Sequence, residues 1–82
     1  MEYSKKEKMK IVMMLKQFMS KAICIYCDRA AGKYLNDLQE YITSEEYTQL
    51  MIAWEHRKNG EGHNEVCGLC KNLVKKYKPK DK

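Results

Sequence analysis

Proline, histidine and phenylalanine are scarce in this chain: one Pro, two His and one Phe among 82 residues. The single proline is Pro79, so no missing amide interrupts a helix anywhere before it. With His56 and His63 as the only imidazoles, any general base of the usual kind has just two candidates. Arginine is also sparse. Arg29 and Arg57 are outnumbered by fourteen Lys, and bidentate reading of base edges relies chiefly on arginine. Long apolar runs are missing too. The most apolar stretch, "IVMMLKQFMSKAICIY", is broken by Lys16, Gln17 and Lys21, well short of the ~20 apolar residues of a membrane span. The same stretch has neither the unbroken apolar region nor the small-residue cleavage site of a secretory leader. The expected location is the cytosol, where thiols stay reduced and disulfides are rare. No Gly-rich phosphate loop, Ser-His-Asp set or paired-carboxylate motif occurs. The sequence is not read as an enzyme.

What is present is charge, unevenly placed. Residues 1–27 hold six Lys against two Glu, and residues 71–82 hold six Lys against Asp81. Between them, four basic residues face eight acids. Basic ends around an acidic middle permit contact with a polyanion at the ends, although solvated Lys in the terminal segments is the simpler account.

The patterning is helical throughout. Ser4-Lys5-Lys6-Glu7 has the form of a capping box, followed by Ile11, Met14, Leu15, Phe18, Met19, Ala22, Ile23 and Ile25 at spacings of three and four. This predicts an amphipathic helix from about residue 5 to the first cysteine pair. Gly32 is expected to end or bend it. A shorter helix then sets Leu35, Leu38, Tyr41 and Ile42 on one face. Thr43-Ser44-Glu45-Glu46 is a second capping box, opening a helix with Tyr47, Leu50, Met51 and Trp54 inward. Asn59, Gly60 and Gly62 read as its terminator. "HNEVCGLC" reads as a Gly-containing knuckle turn before a last short helix, whose inner stripe is Leu69, Leu73, Val74 and Tyr77. The fold class expected for residues 1–82 is a single mostly α domain of three to four helices, with room for a short β-hairpin near the second knuckle.

The sharpest motif is a pair of CxxC units, Cys24-x-x-Cys27 and Cys67-x-x-Cys70. Two cysteines three apart can turn both sulfurs toward one point while the intervening backbone offers amides to them. Two such pairs supply the four soft ligands of a closed tetrahedral Zn2+ site. A closed site keeps no position open for substrate, so that metal would be structural. Its binding free energy, on the order of 10 kcal/mol, would rival the whole stability of a domain this small. Three other readings of the thiols stay open: a three-cysteine site completed by His63, an iron–sulfur cluster, and a redox dithiol. His56, near the end of the third helix, is most simply a helix-terminal charge.

Two family resemblances bear on function. "GHNEVCGLCKNLVKK" resembles the second half of an HNH nuclease, which would imply a metal-assisted nuclease. In that family an Asp-His pair follows the first CxxC, whereas here Cys27 leads into "DRAAGKYLNDLQEYI", so the expected general base is missing. The run "ITSEEYTQLMIAWEHRKNGEGHNEVCGLCKNL" resembles the second half of Fin-type anti-sigma factors of spore-forming bacteria, small zinc proteins with an early and a closing CxxC. That resemblance carries over Cys24, Cys27, Cys67 and Cys70 as zinc ligands, and implies binding to a sigma factor or RNA polymerase. The chain departs from the family in its long first helix and its more basic C-terminal segment.

Three surfaces remain for a partner. Lys71, Lys75 and Lys78 share a face of the last helix and could contact the phosphates of DNA or RNA. The Met-rich first helix, with Met13 the residue expected to be exposed, could take a partner helix, although ordinary core packing explains Met equally well. The acidic middle could meet a basic protein. The function expected is a small non-catalytic zinc-binding regulatory or adaptor protein. Its partner would be a protein of the transcription machinery, with direct nucleic-acid binding and a degenerate nuclease as alternatives.

Overall fold

The computed structural model describes residues 3–24, 26–61 and 63–79, with only the backbone described at His63. Four helices follow one another: α1 (Lys5–Ala22), α2 (Asp28–Leu38), α3 (Ser44–Lys58) and α4 (His63–Tyr77). No strand occurs among the described residues. None of their helices is long and apolar enough to cross a membrane.

Both expected capping boxes form. The Ser4 hydroxyl accepts from the Glu7 amide at 3.1 Å, and the Glu7 carboxylate accepts from the Ser4 amide at 2.9 Å. Thr43 and Glu46 repeat the exchange at 3.1 and 3.0 Å. Each box satisfies amides that a helix start leaves without partners. The far end of α3 closes as a Schellman turn. Gly60, at φ 92°, donates to Arg57 O, and Glu61 donates to His56 O. Only a residue tolerant of positive φ fits there, which is why Asn59-Gly60 ends this helix. Gly62 and Ile25 lie outside the described residues.

The connections, residues 23–27, 39–43 and 59–62, are short enough to force antiparallel neighbours. The cross-links agree. The Tyr3 hydroxyl, before α1, donates to Tyr41 O, after α2, at 2.7 Å. Tyr77, at the end of α4, reaches Glu46 at the start of α3, and Arg57 at the end of α3 reaches Asp28 at the start of α2. Helix α1 packs on α2 and α4, and α3 packs on the same two. The chain is therefore an up-down-up-down four-helix bundle, 40 × 21 × 20 Å.

Its core follows the α1 stripe of Ile11, Leu15, Phe18 and Ala22, all fully buried, met by Ala31, Leu35 and Leu38 of α2. Burying a side chain the size of Leu or Phe contributes about 2 kcal/mol, so this stripe is what holds α1 in place. Phe18 and Trp54 meet edge-to-face at 6.1 Å, spanning the bundle from α1 to α3.

The structure corrects several expectations. Gly32 does not end a helix; it lies inside α2, where a Cβ would stand 3.3 Å from the Trp54 ring. Its small size lets the indole approach. Helix α2 starts directly after Cys27, and Tyr41 and Ile42 lie past its end. On α3 Leu50, Tyr47 and Trp54 face the core as expected, but Ala53 and Arg57 are buried there as well, whereas Met51 is 37% exposed. The second cysteine pair occupies neither a knuckle turn nor a hairpin, because residues 63–77 form one continuous helix.

Candidate metal centre and binding surfaces

The antiparallel order brings both CxxC pairs to one end of the bundle. Cys24 and Cys27 sit in the α1–α2 connection, and Cys67 and Cys70 sit in the first two turns of α4. Arg57, in the last turn of α3, joins them there.

The first pair is assembled. The Cys27 thiol donates to Cys24 Sγ at 2.8 Å. That bond, followed by one from the Tyr26 backbone amide, pulls the Cys24 pKa below the usual thiol value, with Lys21 and Arg57 adding positive charge. The same donated bond, with burial second, raises Cys27. An amide directed at a cysteine sulfur from within the CxxC loop is the feature expected of a thiolate ligand pair.

The second pair is different. Three residues apart on a helix, Cys67 and Cys70 lie on neighbouring faces of α4. Cys67 is half-buried, whereas Cys70 is fully buried among the core residues. Burial, followed by the charge of Cys67, pushes the Cys70 thiol up to about 12. Among the described residues no group of three or more His, Cys, Asp or Glu side chains converges closely enough to hold a metal ion. His63 begins α4, but its side chain is outside the description.

The donor set nevertheless fits zinc chemically. Four thiolates around Zn2+ leave two net negative charges, and a positive group stands ready at that end. Arg57 is the buried charged residue of the described core, 9% exposed. Its guanidinium donates to Asp28, its charge acts on Cys24, and its buried Nε has no partner. A buried donor without a partner costs about 1–3 kcal/mol, and a neighbouring anionic cluster is what would offset that cost. Sequence reading missed Arg57. The available signal was a cationic residue on the Leu50–Ala53 stripe, where an apolar one would continue the pattern.

His56 is placed as expected, in the last turn of α3. Its Nδ1 lies 3.0 Å from Glu65 on α4, and this bond raises its pKa, with Glu61 adding to it. Lys58 lies 4.1 Å above the Trp54 ring, a cation–π contact that covers the same end.

The opposite end is basic. Lys71, Lys75 and Lys78 are all exposed. Lys75 and Lys78 join Lys5 and Lys8 of α1 around a shallow hollow of about 420 Å³, while Lys71 stands apart from it. Alongside runs a larger groove of about 620 Å³, floored by apolar residues of α1. Met13 is exposed as expected, at 63%, and Met9 joins it at 56%. Of the acidic middle, Asp37, Glu40, Glu45, Glu55, Glu61 and Glu65 are exposed but scattered from α2 to α4, and Glu46 is mostly buried against Lys76 and Tyr77.

No family model, no curated protein and no solved structure matches this chain.

Proposed function

We propose that this chain is a small non-catalytic regulatory protein. One end of its bundle is clasped by Zn2+ on Cys24, Cys27, Cys67 and Cys70, and the rest serves as a surface for a macromolecular partner. The observation that carries the metal reading is the gathering of both CxxC pairs at one end, beside a buried arginine with an unpartnered donor. Closing the site requires Cys67 and Cys70 to turn toward the α1–α2 connection, which ties the start of α4 to the end of α1. The transcription machinery, a sigma factor or RNA polymerase, is the partner class that the resemblance to Fin-type anti-sigma factors implies.

Native mass spectrometry before and after a strong chelator tests the metal. One zinc per chain, with a lowered melting temperature and part of the helical signal lost on chelation, is the expected result. Iron, or no metal and a two-proton mass deficit, overturns it in favour of a cluster or a redox dithiol. Capture from lysate of the source cells tests the partner. An identified stoichiometric protein retained at about 0.3 M salt supports the reading, since phosphate contacts weaken steeply there.

A second reading, nucleic-acid binding, is favoured by the meeting of Lys75 and Lys78 with Lys5 and Lys8. It requires retardation of DNA or RNA that is lost on Lys75→Glu and Lys78→Glu. Divalent-metal-dependent cleavage abolished by His63→Ala would point instead to the nuclease.

A further inference from the structure

The groove on α1 is built differently from the rest of the surface. Lys5, Met9, Met13 and Lys16 follow one another along one exposed edge of the helix, and Lys78 and Pro79, past the end of α4, form the opposite wall. Val12 lies between the two methionines. From Lys5 to Lys16 the stripe runs about 16 Å at 1.5 Å per residue, some three helical turns. This edge is turned away from Ile11, Leu15 and Phe18, the residues by which α1 packs into the core. Met9 and Met13 are therefore free of any core role. They are the most exposed apolar side chains of the helical segments.

Charge complementarity identifies the occupant. The rim residues Lys5, Lys16 and Lys78 are cationic, and Lys8 and Lys75 extend the same field into the adjoining hollow. Among the described residues no acidic side chain lines either depression. Lys76, which borders the hollow, is already engaged by Glu46. Met9, Val12 and Met13 form an apolar strip about one helical turn long, set between lysines about three turns apart on α1 and facing Lys78. Such a strip suits helix-in-groove recognition, read by apolar anchors at i, i+4 and i+7. Methionine suits such a floor because its unbranched thioether adapts to differently shaped anchors. Nucleic acid is the poorer match. Single strands stack on aromatic faces and duplex readout uses arginine, and the groove lining has neither.

We infer that this groove binds an acidic amphipathic helix of a partner protein. Apolar side chains of that helix would seat on Met9, Val12 and Met13, and its carboxylates would face Lys5, Lys16 and Lys78. The inference rests on the adaptor reading above and specifies the partner's chemistry.

The test uses the full chain, as purified, and a fluorescently labelled synthetic helix of about 14 residues, close to four turns. Its Leu residues are spaced i, i+4, i+7 among Glu and Ala. Anisotropy titration at about 0.1 M salt is expected to give saturable binding near the micromolar range, a modest affinity suited to a contact this small. Met13→Glu should weaken it about tenfold or more, as loss of a central anchor does. Lys16→Glu should weaken it and flatten its salt dependence, and Ile52→Glu, on the exposed side of α3, should leave it unchanged. Helical circular dichroism checks that each variant is folded. If Met13→Glu does not fold, methyl chemical-shift mapping on the unmodified chain must place the peptide at Met9 and Met13.

Four outcomes overturn the inference. One is absence of saturable binding. A second is equal affinity for a peptide with Ser in place of each Leu, which would mean charge alone. A third is concentration-dependent self-association that Met13→Glu abolishes, which would make a second copy the occupant. The last is tighter, Met13-dependent binding of duplex DNA or anionic vesicles. A cellular partner whose binding ignores Met13→Glu removes the groove but leaves the adaptor reading standing. Peptide binding without any stoichiometric cellular partner does the reverse.

Discussion

The Tyr77 hydroxyl donates to the Glu46 carboxylate at 2.7 Å, joining the last residue of α4 to the first turn of α3. Glu46 also accepts from the Thr43 amide and from Lys76. It is at once a cap for α3 and the fastener of α4. Burial works against its charge, but the bonds from Lys76, Tyr77 and Thr43 outweigh that and hold its pKa below the usual carboxylate value. A depressed carboxylate contributes stability above its unfolded pKa and loses it as pH falls through the folded one. Glu46→Ala should therefore cost about 2 kcal/mol at neutral pH, and the loss should shrink in acid. Urea melts at pH 7 and pH 3 check this, and an equal loss at both would refute the assignment.

Trp54 and Gly32 make a second test. Alanine at position 32 gains helix propensity of about 1 kcal/mol over glycine, set against a 3.3 Å approach to the indole. Gly32→Ala should lie within about 1 kcal/mol of the parent protein. Gly32→Leu should lose about 2 kcal/mol by overpacking and shift the Trp54 fluorescence. Unchanged emission in Gly32→Leu would show that the indole does not rest there.

The cysteines separate by role. Cys27→Ser and Cys67→Ser should release the proposed zinc and unfold or strongly destabilise the protein, while His63→Ala retains it. In chelated protein Cys67→Ser should be nearly silent. Cys70→Ser should still cost about 1–3 kcal/mol, because a hydroxyl replaces a thiol in the core. Metal content by mass spectrometry and thermal melts, with and without chelator, distinguish the two. Equal metal loss in His63→Ala would place His63 in the ligand set.

His56 should titrate above the ordinary histidine value of 6.5, because Glu65 accepts its proton-bearing nitrogen and Glu61 adds negative charge. A raised histidine stabilises most below its unfolded pKa, and that contribution disappears as pH rises through the folded pKa. The α3–α4 corner should accordingly be tightest in mild acid. A titration followed by NMR should show His56 falling toward 6.5 in Glu65→Gln; no change would mean the pair is not formed in solution.

Much of the architecture was legible because its signals are local. Ser4…Glu7 and Thr43…Glu46 announce helix starts through bonds spanning three residues, and Asn59-Gly60 announces a stop through one positive φ. The α1 stripe of Ile11, Leu15, Phe18 and Ala22 is a 3.6-residue period, visible before any partner is known. The four cysteines were legible as two CxxC pairs but not as geometry. Spacing alone placed "CGLC" in a turn, whereas the helical run from His63 to Tyr77 absorbs it.

The sequence by itself determined a mostly α pattern of three to four closely linked amphipathic segments, two of them opened by capping boxes and one closed by Asn59-Gly60. Only the tertiary structure decided what those segments share. It brought Arg57 to Asp28 across 29 positions of sequence and Tyr77 to Glu46 across 31. It admitted Trp54 beside Gly32, buried Cys70 among core residues, and left Met9 and Met13 bare beside Lys78. The reason is physical. Periodicity says which side of a helix is apolar, but which neighbour meets it, and which edge is left without one, depends on how the helices pack together.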